Sequence, residues 1–444
     1  MKRKIEIFLK EWKNRKDHLP LVVIGARQIG KTYSILKFAK ENYKNVIEIN
    51  FSTNDAFFTI FDNGYDVDNI IKNISLIMPS ATFENNNTII FFDEIQLCPK
   101  GMSSLKQFKL DGRYDVICSG SLMGINYNEI QLNSVGYKEE YIMHSMDFEE
   151  ILWARNYNEK QINDILNHLI TLTPFSELEL KVYQECFIDY LITGGMPAIV
   201  KKFIDNKNFS NILTMQRQLI NDYEEDITKY AKGIEKGKIL NVYRNIPYFL
   251  GKKNKRYQIT KISKNAKNRD YIGTFEWLSN AGIVNLCYCL NEVALPLAGN
   301  YNPYKYKVYF HDIGLLIASL DDEVQNDLRI NKNFNTFKGA IFESVASEML
   351  IKDGYKLYYY SDERSQIEID FFIRDKDSLI PIEIKSSDNA TASLNNLINK
   401  NKYNDVKYGI KFANKNIGYN GKFYTLPYFT MFLLKQFIDN INNN

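Results

Sequence analysis

The sequence predicts an α/β protein whose N-terminal part contains a parallel β-sheet. Short continuous apolar runs alternate with helical segments over the first 150 residues, a pattern typical of strands that helices cover on both faces. A glycine-rich loop directly follows the first of these runs and leads into a helical segment. The chain has 444 residues, and at roughly 150 residues per domain this length indicates about three domains.

Composition and charge exclude several classes of protein. Apolar residues make up 45% of the chain and charged residues 25%, which is typical of globular proteins and excludes a fibre or a long disordered chain. The 56 Lys and Arg nearly balance the 53 Asp and Glu, so the net charge of +3 excludes a polycation. No apolar run approaches the roughly 20 residues that cross a bilayer, so we expect no membrane partner.

Cysteine usage and the N-terminal residues indicate a reducing compartment. The five cysteines include no CxxC pair, and the four histidines lie far from any cysteine pair in the sequence, which argues against a zinc site. The start, MKRKIEIFLKEWKNRK, lacks the apolar core and cleavage site of a secretory signal. We therefore expect a cytoplasmic protein.

The first predicted domain, residues 1–150, contains the parallel sheet. Its apolar runs are short and are separated by helical segments, as in repeated βα units. We expect strands at Leu21–Ile24, Val46–Phe51, Thr88–Phe92, Val116–Ser119 and Tyr141–His144.

Two further segments are predicted from their periodicity. Residues 151–232 are helical and are interrupted at Thr193–Pro197, where two glycines and a proline break the helix. We interpret this segment as a helical lid or linker. Residues 331–444 return to an α/β pattern. Their expected strands lie near Tyr355–Tyr360, Gln366–Ile373, Leu379–Lys385 and Val406–Phe412.

The segment between them, residues 233–330, resembles a winged helix. A helical stretch at Tyr271–Asn280 precedes two strand-like runs, Ile283–Leu290 and Tyr306–Phe310. Helices followed by a two-stranded ribbon are typical of this class, with the ribbon as the wing. We therefore expect a winged-helix-like domain in this segment.

The glycine-rich loop has the sequence GARQIGKT and matches the pattern GxxxxGK(S/T) in full. It follows the strand Leu21–Ile24 and opens a helix, so its N–H groups and the helix N-terminus can cradle a phosphate. In this pattern Lys31 reaches the β- and γ-phosphates and the Thr32 hydroxyl holds Mg²⁺. The predicted nucleotide-binding loop consists of Gly25, Ala26, Arg27, Gln28, Ile29, Gly30, Lys31 and Thr32.

Polar residues end two further strands at the edge where α/β sheets bind ligands. Asp93 and Glu94 directly follow the run Thr88–Phe92. We expect Asp93 to join the Mg²⁺ shell and Glu94 to act as the base on the attacking water. Ser119 and Ser121 follow the next strand, either near the γ-phosphate and the water or as an ordinary Ser/Gly turn.

These motifs resemble those of the bacterial and archaeal AAA-type ATPases that carry a C-terminal domain of unknown function. The likeness includes GARQIGKT, IIFFDEIQ, CSGSL and SMDFEEIL, and it continues through YLITGGMPAIV, KVYFHDIGLL, FKGAIFESVASEML and EIDFF…PIEIKSS. It implies an AAA-like P-loop NTPase that hydrolyses ATP with Mg²⁺. The matching positions are Gly25, Gly30, Lys31, Thr32, Asp93 and Glu94.

One position departs from the family pattern. The family often has Gly-Arg after the serine motif, whereas the aligned pair here is Gly136-Tyr137. If that arginine senses the γ-phosphate, another arginine such as Arg113 or Arg155 has to take this part, or hydrolysis is slow.

Three carboxylates and a lysine form a second candidate site in residues 331–444. Glu343 lies on an amphipathic helix, Asp370 on one strand, and Glu383 and Lys385 on one face of the next strand. Carboxylates on adjacent strands can hold a divalent metal, and a lysine can activate water for phosphodiester hydrolysis. The order of elements resembles restriction-endonuclease-like, PD-(D/E)xK nuclease folds. The predicted metal ligands are Glu343, Asp370 and Glu383, and the predicted catalytic residues are Asp370, Glu383 and Lys385.

A simpler interpretation of these strands stays open. Acid and lysine residues that alternate along a half-exposed strand often only solvate one face. The same fold can also serve a structural or binding purpose without catalysis.

A basic segment at Lys252–Arg269 indicates nucleic acid, with DNA as the expected partner. It carries eight positive charges and no acid, and Tyr257 and Tyr271 lie nearby for stacking or packing. The alternative is a solvated loop in a lysine-rich chain. The basic residues are Lys252, Lys253, Lys255, Arg256, Lys261, Lys264, Lys267 and Arg269.

Three functional hypotheses follow. The first is an ATPase whose nucleotide cycle controls a DNA-binding, nuclease-like C-terminal half. The second is a nucleotide-dependent switch or scaffold that binds protein partners and has a catalytically silent C-terminal domain. The third is a nucleic-acid binder that does not use ATP. The sequence leaves a homo-oligomer open.

Overall fold

The computed structural model defines two compact units. The N-terminal unit comprises Lys2–Ser145 with Asn280–Gly282, and the C-terminal unit comprises Met146–Ser279 and Ile283–Asn444 with Met1. The structure describes residues 1–121, 136–231, 235–252, 254–262, 266–330, 336–362, 364, 367–385, 392–399 and 402–441.

In the N-terminal unit, the described strands form a five-stranded sheet in the order β2-β3-β4-β1-β5. All neighbouring pairs are parallel, so the carboxyl ends of all five strands lie at one edge of the sheet. The strands are β1 (Leu21–Ile24), β2 (Asn45–Asn50), β3 (Thr88–Asp93), β4 (Asp115–Gly120) and β5 (Glu139–Ile142).

The parallel sheet of the N-terminal unit agrees with the prediction from the apolar runs. β1 has the predicted bounds, and β5 begins at Glu139, two residues before the predicted start. Every residue of β3 is buried, as expected for a strand that is covered on both faces. The predicted α/β class is therefore confirmed for this unit.

Helices in the N-terminal unit begin and end where local chemistry favours it. Asp66 accepts a hydrogen bond from the Asn69 N–H and thereby caps a helix. Pro99 opens another helix, which ends at Gly112 with a φ of 72°. The helices are α1 (Lys4–Asn14), α2 (Lys31–Asn42), α3 (Val67–Ile77) and α4 (Pro99–Asp111).

The C-terminal unit combines many helices with a second sheet. No helix in the described part of the chain has the length and apolar character needed to span a membrane. The helices are Phe148–Ala154, Glu159–Thr171, Glu177–Thr193, Pro197–Asn206, Ile212–Tyr230, Glu235–Arg244, Ile246–Leu250, Ile272–Asn280, Ile313–Ala318, Val324–Arg329, Thr336–Lys352, Ala392–Ile398 and Leu434–Ile441.

Within the described residues, the second sheet has eight strands in the order β12-β13-β11-β10-β9-β8-β6-β7. β8, β9 and β10 are antiparallel neighbours, whereas β11 is parallel to β10 and to β13. The strands are β6 (Val284–Leu290), β7 (Tyr301–Phe310), β8 (Leu357–Asp362), β9 (Ile367–Asp375), β10 (Ser378–Lys385), β11 (Gly409–Ala413), β12 (Gly418–Tyr419) and β13 (Phe423–Pro427).

The predicted wing is part of this larger sheet. β6 and β7 pair as an antiparallel ribbon, as expected, but β6 also pairs in parallel with β8 from Cys287 to Cys289. The physical reason is burial, because Cys287, Cys289 and Leu290 are buried and pack as interior strand residues. The ribbon therefore continues the C-terminal sheet.

Candidate functional site

The loop between β1 and α2 has the shape of a phosphate cradle. Gly30 has a φ of 90°, a backbone conformation that glycine adopts without strain. A Cβ atom at Gly25 would lie 2.2 Å from the carbonyl oxygen of Met143, so a larger residue does not fit there. α2 begins at Lys31 and directs its first N–H groups toward the loop.

The residues between the two glycines divide into buried and outward-facing ones. Ala26 and Ile29 are buried and anchor the loop. Arg27 is half-buried, and Gln28 is exposed with a φ of 63°. The loop thus presents its backbone, rather than a row of side chains, to a ligand.

Lys31 lies folded onto the loop. Its side chain is 7% exposed, and its ammonium group donates to the carbonyl oxygens of Gly25 (2.9 Å) and Ala26 (2.7 Å). Burial lowers the pKa of Lys31 to about 8, although the charges of Glu94 and Asp93 act in the opposite direction. A bound phosphate is a stronger partner than two neutral carbonyls, because its hydrogen bonds to the ammonium group are charge-assisted on both sides.

Asp93, at the end of β3, accepts hydrogen bonds from three other elements. Its Oδ2 accepts from the Thr32 hydroxyl on α2 (3.0 Å) and from the Asn50 amide at the end of β2 (3.0 Å). Its Oδ1 accepts from the Ser119 hydroxyl near the end of β4. The structure therefore brings Thr32, Asp93 and Ser119 together at the carboxyl edge of the sheet.

The oxygen atoms of Thr32 and Asp93 fit a magnesium ion. Mg²⁺ binds oxygen ligands at about 2.1 Å in octahedral geometry, which places adjacent ligands about 3 Å apart. The Thr32 hydroxyl and Asp93 Oδ2 are separated by 3.0 Å. The remaining positions would belong to water and phosphate oxygens, as is usual for Mg²⁺ in phosphate sites.

Glu94 is held in a strained position beside Asp93. Its φ of 53° and ψ of 42° are left-handed, which costs a residue with a side chain about 1–3 kcal/mol. Its carboxylate accepts hydrogen bonds from the Gln96 amide and from the Ser121 hydroxyl, the latter at 3.3 Å. Glu94 and Ser121 therefore meet, as Asp93 and Ser119 do.

Two contributors to this site were missed by sequence reasoning. Asn50 ends β2 and donates to Asp93, and Gln96 lies two residues beyond Glu94 and donates to it. The signal for Asn50 was its place at the carboxyl end of a predicted strand. Gln96 had no comparable signal, because its contact depends on the left-handed turn at Glu94.

Both proposed replacement arginines form ion pairs within their own units. Arg113 lies just before β4, at the amino edge of the sheet, and pairs with Asp68 (2.6 Å) and Asp111 (2.7 Å). Arg155 belongs to the C-terminal unit and pairs there with Asp189.

Tyr137, which follows Gly136 where the family often has arginine, takes part in a surface contact. The Lys106 ammonium group lies 5.0 Å from the centre of the Tyr137 ring, a cation–π contact. An aromatic ring cannot supply the positive charge of the expected arginine.

In the C-terminal unit, Glu343 is enclosed by positive charge. It is 1% exposed and accepts hydrogen bonds from Lys255, from Lys307 (2.8 Å) and from the Tyr309 hydroxyl. Burial alone raises the pKa of Glu343, but the two ammonium groups outweigh it and hold the pKa at about 2. Both oxygens of Glu343 are thus occupied by donors.

Asp370, Glu383 and Lys385 lie on the neighbouring strands β9 and β10. Asp370 accepts from the Ile384 N–H at 2.8 Å, and the Lys385 ammonium group is 2.6 Å from Glu383. Burial, together with the charge of Glu343, raises the pKa of Asp370 to about 7, and burial also raises the pKa of Glu383. Oε2 of Glu383 is buried and has no hydrogen-bond partner among the residues that the structure describes.

The predicted set of metal ligands is only partly assembled. In the part of the chain that the structure describes, no three His, Cys, Asp or Glu side chains are arranged to hold a metal ion. Asp370, Glu383 and Lys385 come together, whereas Glu343 serves as the anion of a lysine network.

The basic segment Lys252–Arg269 is partly used within the fold. Lys255 binds Glu343, so its charge is neutralised. Lys253 and Lys264 lie outside the described residues. The exposed basic residues among those described are Lys252, Lys261, Lys267 and Arg269, and Arg256 is half-buried.

The two tyrosines near this segment pack in the interior. Tyr257 and Tyr271 are 3% and 6% exposed. The Tyr257 hydroxyl donates to the carbonyl oxygen of Val242 at 2.8 Å, and its ring contacts Phe249 and Phe275. The rings are therefore packed in the core and are not presented to a nucleobase.

Three protein families match separate parts of the chain. An AAA domain (AAA_14) matches residues 17–152, a domain of unknown function (DUF8612) matches residues 184–326, and another (DUF4143) matches residues 338–430. The first match includes β1–β5, the P-loop, and Asp93 with its hydrogen-bond partners Thr32, Asn50 and Ser119. The match therefore supports an AAA-type ATPase domain in the N-terminal unit. No curated protein matches the sequence.

Several solved structures show a distant likeness. A Walker-type ATPase of Pyrococcus abyssi is 14% identical, with 72% of this chain and 95% of that chain covered and a TM-score of 0.41. The ORC1 protein of Aeropyrum pernix in complex with DNA is 11% identical, with 73% and 90% covered and a TM-score of 0.29. Drosophila ORC bound to DNA is 12% identical, with 74% and 95% covered and a TM-score of 0.27.

Proposed function

We propose that this protein binds ATP with Mg²⁺ and hydrolyses its γ-phosphate. The observation that supports this proposal most is the convergence of Thr32, Asn50 and Ser119 on Asp93 beside the P-loop. The loop offers backbone N–H groups to phosphates, and the adjacent hydroxyl and carboxylate oxygens suit Mg²⁺. The match of residues 17–152 to an AAA domain supports a nucleotide as the ligand.

Each residue has a distinct part in the proposed reaction. The loop N–H groups and the N-terminus of α2 bind phosphate oxygens, and Lys31 leaves the two loop carbonyls to contact the β- and γ-phosphates. Mg²⁺, held by Thr32 and Asp93, would supply positive charge against the charge that develops on the phosphates. Glu94 accepts the proton of the water whose oxygen attacks the γ-phosphorus, while the bond to the bridging oxygen breaks.

Steady-state phosphate release tests this proposal. We expect Lys31→Ala to abolish Mg-ATP hydrolysis, whereas Lys37→Ala, which removes a lysine six residues further along α2, leaves it intact. Glu94→Gln is expected to retain ATP without turning it over. Equal phosphate release by the wild type and Lys31→Ala contradicts the hydrolase proposal. Rapid turnover by Glu94→Gln would show that Glu94 is not the general base.

We propose further that the ATPase acts on DNA through the C-terminal unit. The exposed residues Lys252, Lys261 and Lys267 support this, because surface cations on one segment can contact successive phosphates. Reversing the charge of Lys261 and Lys267 should weaken DNA binding and lower the salt slope by about 2. Lys201→Glu, an exposed substitution elsewhere in the unit, serves as the control. Binding that is insensitive to salt contradicts the proposal.

A second candidate is a nucleotide-dependent switch or scaffold whose C-terminal unit is catalytically silent. The occupied oxygens of Glu343 favour it, because an acid held by two lysines is unavailable to a metal. DNA incubated with Mg²⁺ or Mn²⁺ tests whether the C-terminal unit is catalytically silent. Cleavage that is lost in Asp370→Ala and in Lys385→Ala supports a nuclease. The absence of cleavage by the wild type supports the silent unit, and cleavage unaffected by both changes indicates contamination.

A further inference from the structure

Arg3 joins the P-loop to the chain that follows β5. It directly precedes α1 and is 5% exposed. Its Nη1 donates to the carbonyl oxygen of Ile29 in the P-loop at 2.8 Å, and its Nη2 donates to the carbonyl oxygen of His144 at 2.8 Å. A guanidinium group is planar and rigid, so the two bonds fix the positions of both carbonyls.

Met143, the first residue after β5, also supports the beginning of the P-loop. The Met143 N–H donates to the carbonyl oxygen of Ile24 at 2.7 Å, directly before Gly25. The carbonyl oxygen of Met143 packs so closely on Gly25 that a Cβ atom there would lie 2.2 Å away. Met143 thus contacts the first half of the loop, and His144 is tied to the second half through Arg3.

A phosphate cradle requires donors for its outward carbonyls. The N–H and C=O of a trans peptide point in opposite directions, so a loop that turns N–H groups toward a ligand turns carbonyls away from it. Lys31 donates to the carbonyl oxygens of Gly25 and Ala26, and Arg3 donates to the carbonyl oxygen of Ile29. In the proposed reaction Lys31 leaves its two carbonyls when it contacts a phosphate, whereas Arg3 stays on the carbonyl oxygen of Ile29.

We propose that Arg3 is a positioning residue that holds the P-loop in its phosphate-binding shape. It acts through the backbone of Ile29 and does not touch the nucleotide. The inference rests on the proposed binding of ATP and adds a residue far from the P-loop in the sequence.

Calorimetric titration with Mg-ATP and Mg-ADP tests the proposal. We expect Arg3→Ala to lower the affinity for both nucleotides about tenfold, the usual effect of losing a charge-assisted hydrogen bond. Arg3→Lys keeps the charge but lacks the planar pair of N–H donors that contacts both carbonyls. Its nucleotide affinity should therefore lie between those of the wild type and Arg3→Ala. Millimolar guanidinium chloride, far below denaturing concentrations, should restore part of the affinity of Arg3→Ala, whereas sodium chloride at equal ionic strength should not.

Lys13→Ala is the matched control, because Lys13 lies at the other end of α1 and donates to the carbonyl oxygen of Asn42 at the far end of α2. It removes a comparable bond, so its melting temperature should fall while its nucleotide affinity stays within twofold of the wild type. If Arg3→Ala does not fold, the same comparison is made with Arg3→Lys. Wild-type affinity in the folded Arg3 variants, or an equal loss in Lys13→Ala, overturns the inference. A wild type that binds no nucleotide contradicts the proposed function itself.

Discussion

Thr32 donates its hydroxyl hydrogen to Oδ2 of Asp93 across 3.0 Å, which joins two residues 61 positions apart in the sequence. β4 lies between β1 and β3 in the sheet, and its Ser119 donates to the other oxygen of the same carboxylate. The P-loop helix and two strands therefore share one acid. A substitution of Asp93 should therefore alter phosphate binding and metal binding together.

We expect Asp93→Asn to lower ATP hydrolysis by about 100-fold or more, because the magnesium site loses its charged ligand. The wild type should bind ATP more tightly with Mg²⁺ than with a chelator, and this difference should vanish in the variant. Calorimetry under both conditions measures it. Asn50→Ala removes only one donor to Asp93 and should keep the magnesium effect. A full magnesium effect in Asp93→Asn would show that the metal binds elsewhere.

Gln96→Met should lower the turnover number about 10- to 100-fold with little change in KM for ATP. The Gln96 amide holds the Glu94 carboxylate, and a displaced base transfers its proton less efficiently. Ser121→Ala, which removes the longer bond of 3.3 Å to Glu94, should have a smaller effect. Steady-state kinetics separate the two parameters, and a rise in KM at constant turnover would assign Gln96 to substrate binding instead.

Lys307→Met should destabilise the C-terminal unit by about 3 kcal/mol, because the buried Glu343 carboxylate then keeps only one of its two ammonium partners, Lys255. Lys307 and Glu343 side chains are each 2% exposed, so water cannot replace the lost partner. The double variant Lys307→Met/Glu343→Leu should recover much of the stability. Urea unfolding measures both, with the exposed pair Lys201–Asp205 as the control that changes little. A single variant as stable as the wild type contradicts the buried pair.

Glu348 should make stability depend on pH between about 4.5 and 7. Burial raises its pKa to about 7, although Lys352 and the Tyr190 hydroxyl favour its charged form. The folded protein then holds a proton that the unfolded chain has released, so stability falls as pH rises through this range, by at most about 1.4 kcal/mol per pH unit. Urea unfolding of Glu348→Gln should show a weaker pH dependence than the wild type. The exposed Glu177→Gln should retain it, and identical curves for the wild type and Glu348→Gln would refute the assignment.

Residues whose environment is set locally were predictable from the sequence. The glycine spacing of GARQIGKT, and the apolar runs that precede Gly25, Asp93 and Ser119, place a loop and strand ends where the structure has them. β12 and β13 were not predicted, because β12 has only two residues and the sequence FYTLP of β13 does not alternate apolar and polar residues.

Other positions had more than one interpretation until the tertiary contacts were known. Tyr257 was expected to stack or to pack, and the structure buries it against Phe249 and Phe275. Lys255 was counted with the basic segment, but it is bound by Glu343, a residue 88 positions away. Sequence spacing gives no information about such partners.

The sequence by itself determined the P-loop, the acids that end β3, and the α/β class of the N-terminal unit, since each depends on neighbours along the chain. Only the tertiary structure decided that β6 joins the C-terminal sheet, that lysines take up Glu343, and that Arg3 binds Ile29. Strand pairing and buried ion pairs form between distant segments, because desolvated polar groups need partners wherever the fold provides them.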